Sequence, residues 1–225
     1  MKSWELLGQA IRDCFEGDLN AELLVESDCA GLERMPAALF FRNFDQWSDL
    51  EQYAVNLCRG RILDIGAGAG SHSLELQERG FEVYPIDIAP QAVAVMRDRG
   101  LKNASCVDFA SYQAEPFDTI LMLMNGIGVV GDLARLEVFL ERIGGLLKPG
   151  GQILADSSDL EYLRQVPDTD VSTVLTPGSE YGRIRYSFGY RGIQGEPFDW
   201  LFLDERTLRD YAGRTGWDCQ VLFCE

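Results

Sequence analysis

The sequence predicts an α/β protein with a doubly wound, mostly parallel sheet and helices on both faces, plus an N-terminal helical lid and a C-terminal β-hairpin. Three observations carry that expectation. Short apolar runs alternate with helical patterns between residues 61 and 159. The intervening helices have ordinary start and stop residues, such as Pro90 and Gly100. The first run, Arg61-Ile62-Leu63-Asp64-Ile65, enters a glycine turn, Gly66-Ala67-Gly68-Ala69-Gly70, and then a helix start at Ser71-His72-Ser73.

In that first unit, Ile62, Leu63 and Ile65 suit a core strand, while Gly66, Gly68 and Gly70 permit positive φ and close approach of a ligand. The helix from Ser71 to Gly80 opens with unpaired N–H groups that suit an anionic group. Phe81 to Asp87 reads as a second strand ending in an acid, about twenty residues after the first glycine, where a carboxylate can accept both hydroxyls of a ribose. Pro90 opens a helix that Gly100 closes. Ala104 to Phe109 is a short third strand, Phe117 to Gly126 a fourth and Leu146 to Leu154 a fifth. Beyond them, Ile184, Tyr186, Phe188 and Tyr190 alternate on one face of a strand. Gly192 to Pro197 turns that strand back into Phe198 to Leu203. Asp204 caps a helix through Tyr211, and Trp217 to Phe223 reads as a last strand. Near the N-terminus, Trp4, Leu7, Ile11, Cys14 and Phe15 lie at helical spacing, and Ser48-Asp49-Leu50-Glu51 is a capping box opening a helix that ends at Gly60.

The glycine spacing discriminates among cofactors. A dinucleotide turn G-x-G-x-x-G/A needs Gly or Ala where Ser71 stands, and the P-loop pattern is absent. The remaining pattern, Asp64-x-Gly66-x-Gly68-x-Gly70, resembles motif I of the class I S-adenosylmethionine-dependent methyltransferases, a Rossmann-like family. The ordered segments that follow extend the resemblance over residues 61–159. It implies S-adenosylmethionine as cofactor, with Asp64 toward the ammonium and the turn Gly66, Gly68, Gly70 with the helix start toward the carboxylate. It further implies Asp87 at the ribose, Ile88 as a further cofactor contact beside it, Asp108 and Phe109 at the adenine, and Met124 with Asn125 beside the reacting methyl. The segment Met35 to Trp47 is then expected to close over the substrate as a lid, with Phe41, Arg42 and Trp47 as contacts, joined by Arg183 and Arg185 from the hairpin. Plain packing of those aromatics on the sheet edge, and a solvated hairpin face for the two arginines, stand beside that expectation. The family usually adds a seventh, antiparallel strand after the last one read here, so that strand is missing or the hairpin takes its place.

The implied function is transfer of a methyl group to a small-molecule O, N or C nucleophile by in-line displacement. Positioning alone can supply roughly 7–11 kcal/mol to such a reaction, so a conspicuous base is not obligatory. Where one is used, Asp156, Asp159 and His72 are the candidates, each with a structural role as alternative: helix caps for the aspartates, a first-turn position for the histidine. Asn125 is followed by Gly126-Ile127-Gly128, so the Asn/Asp-Pro-Pro-Tyr motif of many amine-modifying methyltransferases is absent. Two rival readings belong to other classes: an NAD(P)-dependent oxidoreductase, supported by Asp87, and a noncatalytic S-adenosylmethionine-binding partner protein.

Composition agrees with one domain, in which residues 1–60 form the N-terminal helical and lid segment, 61–159 the cofactor-binding core, and 160–225 the hairpin and C-terminal completion. At 225 residues and 46% hydrophobic content the chain can bury a sizeable core. A formal charge of −16 argues against nucleic acid and anionic membranes as partners and leaves a small-molecule substrate. No C-x-x-C pair occurs and His72 is the only histidine, so no metal site is expected. The six cysteines read as buried thiols in a reducing compartment, and the acids close behind Met1 speak against a signal peptide; both point to the cytoplasm. The apolar run Thr119 to Gly131 is too short to cross a bilayer.

Overall fold

A computed structural model describes residues 1–165, 175, 178 and 181–224. The chain opens with α1 (Ser3–Phe15) and a strand pair, β1 (Glu22–Ser27) and β2 (Glu33–Pro36). Two short 3-10 turns, Ala37–Phe41 and Phe44–Gln46, lead to α2 (Asp49–Leu57). The alternating core follows: β3 (Arg61–Ile65), α3 (Ser71–Glu78), β4 (Glu82–Asp87), α4 (Pro90–Asp98), β5 (Ser105–Cys106), β6 (Phe117–Met122), α5 (Leu136–Gly144) and β7 (Leu147–Ala155). The chain ends with β8 (Arg183–Tyr190), β9 (Ile193–Gln194), β10 (Phe198–Leu201) and α6 (Glu205–Arg214).

The core strands pair in parallel in the order β5-β4-β3-β6-β7, so the chain starts in the middle and winds outward in both directions. This is the expected doubly wound sheet. Its strands read as near-continuous apolar runs because both faces are covered. Leu63, Ile65, Ile120 and Met122 pack under α5 with Leu136, Leu140 and Ile143, while Ile62, Val83, Leu121 and Leu154 pack on the other side with Trp47, Val55 and Leu76. The two ends of strand order meet beside β3, and the loops leaving the carboxyl ends of β3, β4 and β6 surround that switch point, where open α/β sheets bind ligands.

A second, antiparallel sheet has the order β10-β8-β1-β2, with β9 paired to β8. The expected C-terminal hairpin is therefore present, but it reverses at Arg191-Gly192, both at positive φ, earlier than the Gly192–Pro197 turn read from sequence. β1 and β2 correct the reading of residues 1–60 as purely helical and lid. The signal was weak because β2 offers only Met35 as an apolar residue before Pro36, and β1 gains its place by pairing with β8, far along the chain.

α1 ties the two sheets together. Its buried stripe Leu6, Ala10 and Cys14 meets Leu23 and Tyr190 of the antiparallel sheet, and Ile11 meets Ala89, Ala92 and Val95 around α4. The Tyr190 hydroxyl donates to Asp13 at 2.6 Å, and Ser3 accepts from the Phe188 amide at 3.1 Å while donating to the Glu196 carbonyl.

The last strand expected at Trp217 to Phe223 is not formed. Among the described residues that stretch joins no ladder and is held by side chains: Trp217 donates to the Leu140 carbonyl, Arg209 to the Cys219 carbonyl, and Phe223 lies 5.6 Å from Tyr53. β5 is also shorter than expected, because Asp108 accepts from the Ala110 amide and bends the chain into a 3-10 turn. Cys14, Cys29 and Cys58 are buried as expected, whereas Cys106 and Cys224 are exposed. Among the described residues no helix is long and apolar enough to cross a membrane.

Candidate functional site

The glycine turn after β3 is fixed by main-chain bonds. The amides of Gly66 and Ala67 both donate to the Ile86 carbonyl at the end of β4, and Gly70, at φ +79°, caps α3. The turn and the end of β4 are thus one rigid unit. Asp87 completes it, accepting from the Gly68 amide at 2.9 Å and the Ala89 amide at 2.8 Å. Burial pushes this carboxyl up to about 6, against the lowering effect of the two amides, and the nearby Asp64 adds to the rise. Asp87 keeps part of its surface open, and each oxygen has a lone pair beyond the one its amide uses.

Asp64 lies buried near the carboxyl end of β3 and accepts from Ser73 at 2.6 Å. Its carboxyl is also raised by burial, with His72 and the Ser73 bond acting the other way. Ile88 is exposed beside Asp87, and Asp108 is exposed at the end of β5. Phe109 packs against the core, 5.0 Å from Phe139 and beneath Arg142. Phe109 stays half-buried there, in tilted contact with Phe139.

After β6 the backbone does something the sequence did not disclose. Met124 and Asn125, neither of them glycine, both adopt positive φ, +65° and +56°. Such conformations cost energy and persist only where neighbours enforce them. Here the enforcing group is Asp156, whose two oxygens accept from the Asn125 and Gly126 amides at 2.9 and 3.0 Å, while Ser158 donates to the Asn125 side chain at 2.8 Å. Asp156 is thereby a brace for the loop. Asp159 is exposed and accepts from the Glu161 amide, as the capping alternative had it.

His72 leads to the node that sequence reasoning missed. Its Nε2 lies 2.9 Å from Glu51, which is buried and also receives both terminal nitrogens of Arg42 at 2.9 Å and the Ser48 amide at 3.0 Å. Burial raises the Glu51 carboxyl, but the His72, Ser48 and Arg42 bonds overcome it and bring it down to about 2. The capping box was legible in sequence; the burial of its glutamate was not, because that depends on partners that only the fold brings near.

The node anchors residues 35–47. Trp47 is buried, its indole N–H donating to the Arg42 carbonyl, and its ring is 4.5 Å from His72. Phe41 lies between Phe15 and the Arg99 guanidinium. Ser71 donates to the Phe40 carbonyl at 2.7 Å, which sets the Phe40 ring over Gly68. The expected lid is thus a braced cover over the glycine turn. Arg42 is bonded to Glu51 and Trp47 to the Arg42 carbonyl, and Arg183 and Arg185 lie 3.8 and 2.9 Å from Asp199.

Glu51→Ala should cost about 3 kcal/mol at pH 7 by leaving Arg42 and His72 without their shared carboxylate. Because the folded carboxyl sits below its ordinary value of 4.5, this stabilisation is complete above that value and fades as pH falls toward about 2. Urea unfolding of both proteins at pH 7 and pH 3 should therefore show a gap that narrows in acid. A gap of unchanged size would assign the effect to lost packing.

Comparison with known proteins gives this geometry a context. The family profile described as a methyltransferase domain matches residues 63–153. A methyltransferase from Bacteroides fragilis, solved in complex with S-adenosyl-L-homocysteine, is 41% identical, with 96% of this chain and 88% of that chain covered and a TM-score of 0.85. The chain belongs to the class I S-adenosylmethionine-dependent methyltransferases. A ubiquinone biosynthesis O-methyltransferase of Xanthomonas oryzae is 30% identical over 172 residues, 71% of this chain and 67% of that protein. The corresponding Xylella fastidiosa protein is 33% identical over 111 residues, and there the match spans only 46% of this chain and 44% of the relative's length. Family membership removes the oxidoreductase reading that Asp87 alone had kept open. The glycine turn, Asp64, Asp87 and the strained Met124-Asn125 pair all lie at or just beyond the carboxyl ends of the parallel strands.

Proposed function

We propose that this methyltransferase binds S-adenosylmethionine across the carboxyl ends of β3, β4 and β6 and transfers its methyl group to a small molecule held under the antiparallel sheet. The carrying observation is the rigid unit of Gly66, Gly68 and Asp87. Among the described residues a Cβ added to Gly66 would meet only Val129, at 3.9 Å, while Asp87, bonded to the Gly68 amide two residues on, keeps lone pairs free. That is a cradle shaped for a ligand with a diol. When bound, the cofactor supplies an electrophilic methyl on a sulfonium.

The residues of the chain do the rest by placement. Asp87 accepts from the ribose hydroxyls, and Asp64, steadied by Ser73, faces the ammonium. Ile88 offers an apolar surface to the base and Asp108 an acceptor to its amino group. The loop braced by Asp156 holds Met124 and Asn125 at the reacting end. Asp156, Asp159 and His72 are all occupied in bonds that shape the fold, so the reading favours catalysis by alignment, with the acceptor's proton leaving to water. The acidic chain, at −16, further favours a small acceptor over a polyanion.

Calorimetry should show S-adenosylmethionine and S-adenosylhomocysteine binding near micromolar affinity, about −8 kcal/mol. Incubation with a metabolite extract should release S-adenosylhomocysteine. Binding without any turnover would instead support the noncatalytic partner reading, and absence of binding would remove the cofactor assignment.

A further inference from the structure

Resting on that reading, we propose that the methyl acceptor is a flat aromatic molecule without negative charge, held against a row of rings on the inner face of the antiparallel sheet. The row is continuous. Trp200 meets Phe198 edge-on at 6.2 Å, Phe198 meets Phe188 at 5.0 Å and Tyr186 at 6.1 Å, and Tyr186 lies 6.4 Å from Phe202. The register explains it: Phe198 pairs with Tyr186 and Trp200 with Ile184, so residues at period two on both strands share one face.

This row starts beside the methyl donor's cradle. The Trp200 indole sits so close to Gly128 that a Cβ there would overlap it, and the next residue, Val129, is the one that faces Gly66. From there the rings run away from the cofactor. The ends of the face are covered, by α1 at Tyr190 and by Cys29 and Leu160 at Ile184, but Phe188, Phe198 and Trp200 between them stay partly open. At the far end a cavity of about 100 Å³ is bounded by Val25, Tyr186, Leu163 and Phe202. That volume approaches the roughly 150 Å³ of a dry cavity that admits a benzene ring. Partly exposed rings in offset or edge contact are the surface that a further ring extends.

The charges near this face select against an anion. Glu33 pairs opposite Val25, sharing its face, and burial, with smaller contributions from Cys29, Tyr162, Glu33 and Asp28, pushes the Tyr186 phenol up, so that hydroxyl stays a neutral donor. Arg42 is held by Glu51, Arg99 by the Ala69 carbonyl, and Arg185 by Asp199. In the transfer itself, a lone pair of an acceptor hydroxyl or amine forms the new bond to the methyl carbon as the carbon–sulfur bond breaks. Sulfur keeps that electron pair as a neutral thioether, and the acceptor proton passes to water.

The test titrates protein saturated with S-adenosylhomocysteine with 2-naphthol and with 2-naphthoate, the same rings carrying a hydroxyl or a carboxylate. Naphthol should bind at least tenfold more tightly. Phe198→Leu and Trp200→Ala should each weaken naphthol at least tenfold and leave the affinity for S-adenosylhomocysteine within twofold. Should Trp200→Ala unfold through its contact with Gly128, the Phe198→Leu result decides. Equal binding of naphthoate, no binding of naphthol, or naphthol binding unchanged in Phe198→Leu overturns the proposal. Loss of S-adenosylhomocysteine binding by the unaltered protein would instead overturn the cofactor assignment beneath it.

Discussion

Gly66→Val should abolish cofactor binding, by about 100-fold or more, while the protein stays folded. Gly66 sits at φ +75°, a conformation that a β-branched residue adopts only at a cost of about 1–3 kcal/mol. Its amide and that of Ala67 are both held by Ile86, so the turn cannot relax by sliding. The new side chain would meet little protein, since among the described residues only Val129 stands within reach, and would fill the ligand's space instead. The other two glycines of the turn behave differently. A Cβ on Gly68 would press on the Phe40 ring at 3.0 Å, and one on Gly70 would collide with Leu101 and with Met96. Gly70→Ala should therefore lower the melting temperature, whereas Gly66→Val acts mainly on binding. Calorimetry with circular dichroism separates the two effects. A folded Gly66→Val protein with near-normal affinity would place the cofactor elsewhere.

The contrast between those glycines shows what sequence reading reaches. That the turn needed positive φ followed from residue types alone, as did the strand before it, because a buried parallel strand and a tight glycine turn leave strong local signals. Which glycine faces ligand and which faces core depends on Phe40, Met96 and Leu101, and no local pattern announces those neighbours. The same divide separates the capping box at Ser48, which is local, from the burial of Glu51 by Arg42 and His72, which is not. β1 and β2 escaped for this reason too: they are strands because β8 lies alongside. The expected strand at 217–223 failed in the opposite direction. Its residue types suit a strand, yet no neighbouring strand pairs with it among the described residues, and a strand forms only alongside a partner.

Asp156 illustrates a subtler limit. An acid at the carboxyl end of β7 is equally well placed to take a proton or to hold a loop. The distances to the Asn125 and Gly126 amides show it holding the loop. The positive φ of Met124 and Asn125 is the reason such a brace is needed. Strain and its support are written in residues some thirty positions apart, and they meet only in the folded sheet.

The affinity for S-adenosylmethionine should fall about tenfold for each pH unit below 6, and Asp87→Asn should both weaken binding and flatten that dependence. The folded Asp87 carboxyl stands at about 6, above its ordinary value of 3.8, so in the protein without ligand its ionisation is what folding opposes. Stability from this group is therefore greatest in acid and declines as pH rises from about 4 to about 6. Two ribose hydroxyls can each find an acceptor oxygen on the carboxylate, whereas the protonated form keeps one good acceptor and turns an O–H donor toward the ligand, so binding draws the pKa down and releases a proton. Near pH 6 the heat of binding should then differ between buffers of different ionisation enthalpy. Asparagine keeps one acceptor oxygen but turns an NH₂ toward the Gly68 or Ala89 amide, which already donates there. Losing the charge-assisted contact should cost about 1.5–3 kcal/mol, roughly 10- to 150-fold in affinity at pH 7. Binding by the unaltered protein that is the same at pH 5 and pH 7, with no proton released, would show that Asp87 does not hold the ribose.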